Sequence, residues 1–92
     1  MNQEQFNAAC RKTQTLFQNE NATPCRVPDK PWCTDHLLWM LREAVGFYAT
    51  KPEKANRWLG FVQGCMACHG YKLDDLKRAN MPEGETFDGE RI

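Results

Sequence analysis

From Ala55 to His69 the side chains that favour an interior recur three and four residues apart, at Ala55, Trp58, Leu59, Val62, Cys65, Met66 and His69. Residues so spaced share one face of a helix, whereas a half-buried strand alternates with a period of two. The helical period also runs through Phe6, Ala9, Cys10, Thr13, Leu16 and Phe17, and through Leu37, Leu38, Leu41, Ala44, Val45 and Tyr48. No stretch carries strand alternation. The sequence therefore predicts an all-α fold in which three stripes are buried against one another.

Capping and breaking residues divide the chain. Asn2, with Gln5 three positions on, forms a capping box that opens a first helix expected over residues 2–19. Pro24, Pro28 and Pro31 remove backbone donors and push the residues before them into extended conformations, so 20–33 reads as a loop that Val27 and Trp32 pin to the body. Thr34 as N-cap and Asp35 in the first turn open a second helix to residue 49. Thr50-Lys51-Pro52-Glu53 reads as another capping box with proline in the first turn, so a third helix over 51–69 starts where the second stops. The two must form a helical hairpin or a helix-turn-helix corner. Gly70 suits a left-handed stop, and 73–79 forms a short fourth helix before Asn80 and Pro82. The expected architecture is a small three-helix domain with a helical hairpin and a short fourth helix over residues 1–80. A flexible acidic C-terminal tail follows over 81–92, where Glu83, Glu85, Asp88 and Glu90 outweigh Arg91.

Gly60 and Gly64 lie one turn apart on another flank of the third helix, near Ala67. Glycine inside a helix lowers its stability, so the pair predicts a close approach of another backbone. That neighbour is either another helix of the same chain or a second copy in a homodimer with Gly60 and Gly64 at the seam, flanked by Trp58 and Phe61. A chain of 92 residues hides only about 60–65% of its unfolded surface, which makes association useful to it.

The chain balances 12 basic against 12 acidic side chains, short of the basic footprint of a stand-alone nucleic-acid binder. No apolar run reaches the roughly 18–20 residues of a membrane span, and MNQEQFNAAC lacks the build of a secretory signal. The expected location is the cytoplasm, without membrane contact, and five cysteines there are expected to stay reduced.

Cys65-Met66-Ala67-Cys68-His69 matches the c-type haem attachment pattern. That chemistry belongs outside the cytoplasm in most systems, so no haem is expected. Cys33-x-x-His36 and Cys65-x-x-Cys68 supply two ligand pairs, and thiolates with imidazole suit tetrahedral zinc. A small zinc-binding protein through Cys33, His36, Cys65 and Cys68 is accordingly an alternative to the first expectation, which is no metal and no cofactor. A redox dithiol is disfavoured, because the pair stands near a helix C-terminus where the dipole opposes thiolate formation. No serine-based elbow, paired acidic motif or phosphate loop accompanies the two histidines, so the chain is not expected to be an enzyme. Lys51, Lys54, Asn56, Arg57 and Gln63 line the start and outer side of the third helix and support a helix-turn-helix nucleic-acid-binding alternative.

Arg57-Trp58-Leu59-Gly60-Phe61-Val62-Gln63-Gly64, followed by Leu73, Leu76-Lys77-Arg78 and Asn80-Met81-Pro82, resembles a family of small uncharacterised early proteins of tailed phages and prophages. The resemblance extends upstream through Val27-Pro28-Asp29, Trp32 and Leu37-Leu38, over about residues 5 to 85. In that family the places of Cys65 and Cys68 hold ordinary apolar residues, which weighs against metal ligation there. The resemblance implies an accessory protein that acts inside the bacterial host by binding a host or phage macromolecule, in host takeover or counter-defence. It assigns no activity and no site residues. Aromatic residues and arginine dominate binding energy at interfaces, so Trp39, Arg57, Trp58, Phe61 and Tyr71 are the partner-binding candidates, together with Trp32 and Phe47.

Overall fold

A computed structural model describes residues 2–17 and 21–80. It contains α1 (Gln3–Thr15), α2 (Thr34–Phe47), α3 (Pro52–Cys68) and α4 (Leu73–Ala79), and no strand among the described residues. The all-α class and the helical hairpin are as the periodicity predicts. The acidic tail expected over 81–92 and the far end of the first helix at Asn19 lie outside the described residues.

The helix starts and stops follow local chemistry. At α1 the Asn2 carboxamide oxygen accepts from the Gln5 backbone N–H at 2.8 Å, while the Asn2 N–H donates to Gln5 Oε1 at 2.9 Å. Two of the unpaired donors at the helix start are thereby satisfied. The helix ends at Thr15, four residues before the expected end at 19. The Thr13 and Thr15 hydroxyls bond back to the Ala9 and Arg11 carbonyls, which loosens a helix, and a tight turn after Thr15 brings Phe17 into the core. The expected capping box at Thr50 does not form. Pro52 is itself the first helical residue, so the cap falls on Lys51, which makes no side-chain cap bond. Thr50 instead donates from its hydroxyl to the Phe47 carbonyl at 3.2 Å and helps close α2. The cap of α2 also falls one residue early, on Cys33, with Thr34 already helical.

The C-terminus of α3 is closed by backbone bonds alone. Gly70 adopts φ 99°, a left-handed conformation. Its N–H donates to Ala67 and the next, from Tyr71, donates to Met66, both at 3.1 Å, which is the Schellman pattern. The turn points Tyr71 back toward the core, where its ring meets Phe17 edge-on at 5.5 Å.

α2 and α3 run antiparallel across the turn at residues 48–51 and form the centre of the molecule, with α1 against α2 and α4 against α1 and α3. Phe6, Leu37, Leu41, Val62 and Met66 lose essentially all solvent contact. They belong to the expected stripes, as do the buried Ala9, Cys10, Ala44, Ala55 and Leu59. Phe6 stacks on Tyr48 at 4.5 Å and seals α1 over the hairpin.

At the glycine flank the intramolecular neighbour, one of the two expected, is not found among the described residues. A Cβ added at Gly60 or Gly64 meets no atom within 4 Å, so no other part of the described chain crosses there. Both glycines lie on the exposed face of α3, because the inner stripe of Leu59, Val62 and Met66 faces away from them.

Three stability measurements follow from this packing. Leu41→Ala should lower the unfolding free energy by about 2–5 kcal/mol, since a cavity adds to the lost transfer energy. Gly70→Ala should cost about 1–2 kcal/mol through backbone strain, with no steric contribution. Gly60→Ala should raise stability by about 0.5–1 kcal/mol, because it restores helix propensity at an open position. Urea denaturation reads all three, and a destabilising Gly60→Ala would show that its face is covered.

Candidate functional site

The antiparallel hairpin brings the chain entering α2 beside the last turns of α3. Trp32, Phe61, Gly64, Cys65, Cys68 and His69 thereby line one shallow pocket of about 400 Å³, almost wholly apolar. Among the described residues Trp32 and Phe61 are the large apolar side chains left most open, at 55% and 44% exposure. Single exposed hydrophobic residues are ordinary on a protein surface, but two aromatic rings lining the same depression form a patch.

Trp32 therefore does not pin the loop to the body. That work falls to backbone donors of the loop and to the start of α2. The Val27 N–H donates to His36 Nδ1 at 2.9 Å, the Cys25 N–H to the Asp35 carbonyl at 3.1 Å, and the Thr23 N–H to the Asp35 carboxylate at 3.2 Å. Three successive odd-numbered residues thus hang on one turn of helix, which holds an extended strand-like segment without a sheet. His36 is buried, and its pKa is lowered first by burial and then by the nearby Arg26 charge. Since Nδ1 accepts, the neutral ring carries its proton on Nε2.

Next to His36 a row of rings runs along the hairpin. His36 meets Trp39 at 5.3 Å, Trp39 meets Trp58 at 5.9 Å, and Trp58 meets Phe47 edge-on at 4.9 Å. The Lys54 ammonium caps the row, 5.1 Å from the Phe47 ring and 5.2 Å from that of Trp58. Trp39, Trp58 and Phe47 are half-buried and packed against the core, so much of their surface is committed to the fold. Tyr71 is half-buried against Phe17. Of the partner-binding candidates, Arg57 and Phe61 stand exposed on the outer face of α3, the face that also carries Gly60 and Gly64. Trp32, named for its residue type and read as a loop anchor, proves to be the most open aromatic ring among the described residues that are large and apolar. Its position after Pro31 and just before the helix could have signalled a side chain stranded outside the stripe.

Gln63 turns inward. Its amide donates to Thr13 Oγ1 at 3.0 Å and to Asn80 Oδ1 at 2.9 Å, and its carbonyl accepts from Asn80 Nδ2 at 2.9 Å. It ties α1, α3 and the end of α4 together, and Lys54 is occupied over the two rings. The helix-turn-helix face is thus reduced to Lys51, Asn56 and Arg57.

The zinc set is not assembled. Among the described residues no three or more His, Cys, Asp or Glu side chains gather where they could hold an ion, and His36 Nδ1 is already engaged. The five thiols are free. Burial pushes the Cys10 thiol up to about 12, which keeps it protonated and unreactive. Cys65 is raised by burial and, second, by Cys68 one turn on.

Comparisons of the chain with protein-family models, with curated proteins and with solved structures find no match.

The loop clasp predicts a pH dependence. An unfolded imidazole titrates near about 6.5, and the folded His36 titrates lower, so the folded state binds fewer protons between the two values. The stabilisation is complete above the unfolded value and is lost as pH falls through the folded one. Urea midpoints should decline over that interval, and His36→Asn, which keeps an acceptor but does not titrate, should flatten the decline.

Proposed function

We propose that the protein is a non-catalytic binding module that docks another protein on the surface formed by Trp32 and the outer face of α3. The observation that carries this reading is that the two most exposed large apolar side chains among the described residues line one apolar pocket. Aromatic anchors on a rigid helix lose little entropy on binding, and Arg57 supplies a charged edge one turn from Phe61. A nearly neutral chain with an uncharged depression suits an apolar segment of a protein better than a phosphate backbone. The phage or prophage class, action inside a bacterial host, and a role in host takeover or counter-defence rest on the sequence resemblance alone.

A second copy of the chain is the other occupant to test, because the open face over Gly60 and Gly64 allows a helix to approach closely and a two-fold contact uses the same patch twice.

A photo-crosslinking residue placed at position 61 should capture a defined protein in the bacterial host. Placed at position 43, an exposed site on α2, it should not. Trp32→Ser should abolish capture while leaving the circular dichroism spectrum unchanged. Equal capture from both positions would place the contact elsewhere, and capture of the chain itself, with a dimer in sedimentation equilibrium, would select the homodimer.

A further inference from the structure

We propose that Cys65 and Cys68 form a two-thiolate site for a soft monovalent cation of the copper(I) class, in the pocket that Trp32 and Phe61 also line. This goes beyond the protein-binding reading and does not depend on it.

The two residues are one turn apart in the last turns of α3, a spacing that puts their Cβ atoms about 5–6 Å apart on one face. Both thiols are free, and both line the pocket, Cys68 exposed and Cys65 half-buried. Two bare thiolates there repel each other, and a cation between them removes that repulsion.

The ligand count selects the metal. Zinc fills a tetrahedral shell of four, and among the described residues no group of three or more ligating side chains is gathered. Copper(I) has a closed d shell, imposes little geometry and is satisfied by two thiolates, while softness matches it to sulfur over oxygen. The apolar lining strengthens the attraction between metal and thiolate.

Binding involves no redox change. Each S–H bond breaks as a copper–sulfur bond forms, copper stays at +1, and two protons leave to solvent. Because two protons are released on binding, affinity should fall as pH is lowered.

The test is an anaerobic titration of the reduced full-length chain with copper(I) held by a chromophoric chelator. The wild-type chain should withdraw one copper per chain. Cys68→Ser, an exposed substitution, and Cys65→Ser should each weaken binding by more than the roughly 100-fold that loss of an outer partner costs. Cys25→Ser and Cys33→Ser should bind as the wild type does. The proposal is overturned if no copper leaves the chelator, if Cys68→Ser binds unchanged, if half an equivalent binds as a bridge between two chains, or if zinc(II) competes on equal terms. Circular dichroism of each variant separates loss of the site from loss of the fold.

Discussion

Everything else in this molecule is placed by the packing of α3 on α2. Leu59, Val62 and Met66 on one helix meet Leu37, Leu41 and Ala44 on the other, and none of the six retains more than 4% of its surface. Burial of that seam supplies the main apolar contribution available to so short a chain, since neither α1 nor α4 is long enough to form a stable helix alone. Once α3 is fixed in rotation, the outward direction of every other residue on it is fixed too. Phe61, Gly64 and Cys68 lie on the solvent side because Leu59, Val62 and Met66 lie on the inner one.

The inner side was legible because its cause is local. A stripe with a period of 3.6 residues needs no partner to be recognised, and Asn2 with Gln5, or Gly70 after His69, signals a helix end through the bonds its own backbone requires. Errors occurred where two local rules competed. Thr50 is a good cap and Pro52 a good first residue, but both cannot hold if the cap directly precedes the first helical residue, and the proline ring has the stricter demand. At the end of α1 the helical stripe continues through Leu16 and Phe17, yet a turn buries Phe17 as well as a helix would have. Periodicity reports which side chains are inside. It does not report how the backbone brings them there.

The outer side was less legible, since exposure is a residual property of the whole packing. Trp39, Trp58 and Phe61 are equally plausible anchors by residue type, and only the rotation of the hairpin commits the first two to the row of rings beside His36 and leaves the third open. Gly60 and Gly64 were misleading for a related reason. Their cost to the helix is certain, but nothing in the described chain approaches them. Two helix-weakening residues at an uncrowded position are not explained by packing within the described chain, and they share the exposed face of Phe61.

The Pro-rich loop joins the two sides. Three prolines deny it a helix or a sheet, so its backbone donors need acceptors elsewhere, and the first turn of α2 provides them through Asp35 and His36. Having its hydrogen bonds satisfied at Thr23, Cys25 and Val27, the loop arrives at Pro31 with no polar demand left to bury. Turns through Lys30 and Cys33 then set Trp32 against the end of α3 instead of beneath it. The backbone on which this exposed tryptophan stands is thus tethered, which would reduce the ordering cost of any contact made there. The buried histidine is part of the same arrangement: its neutral ring accepts the hydrogen bond that fixes the loop at the residue directly before Pro28. Protonation of His36 would remove that acceptor and place a charge beside Arg26, so the tether between the loop and α2 weakens with it.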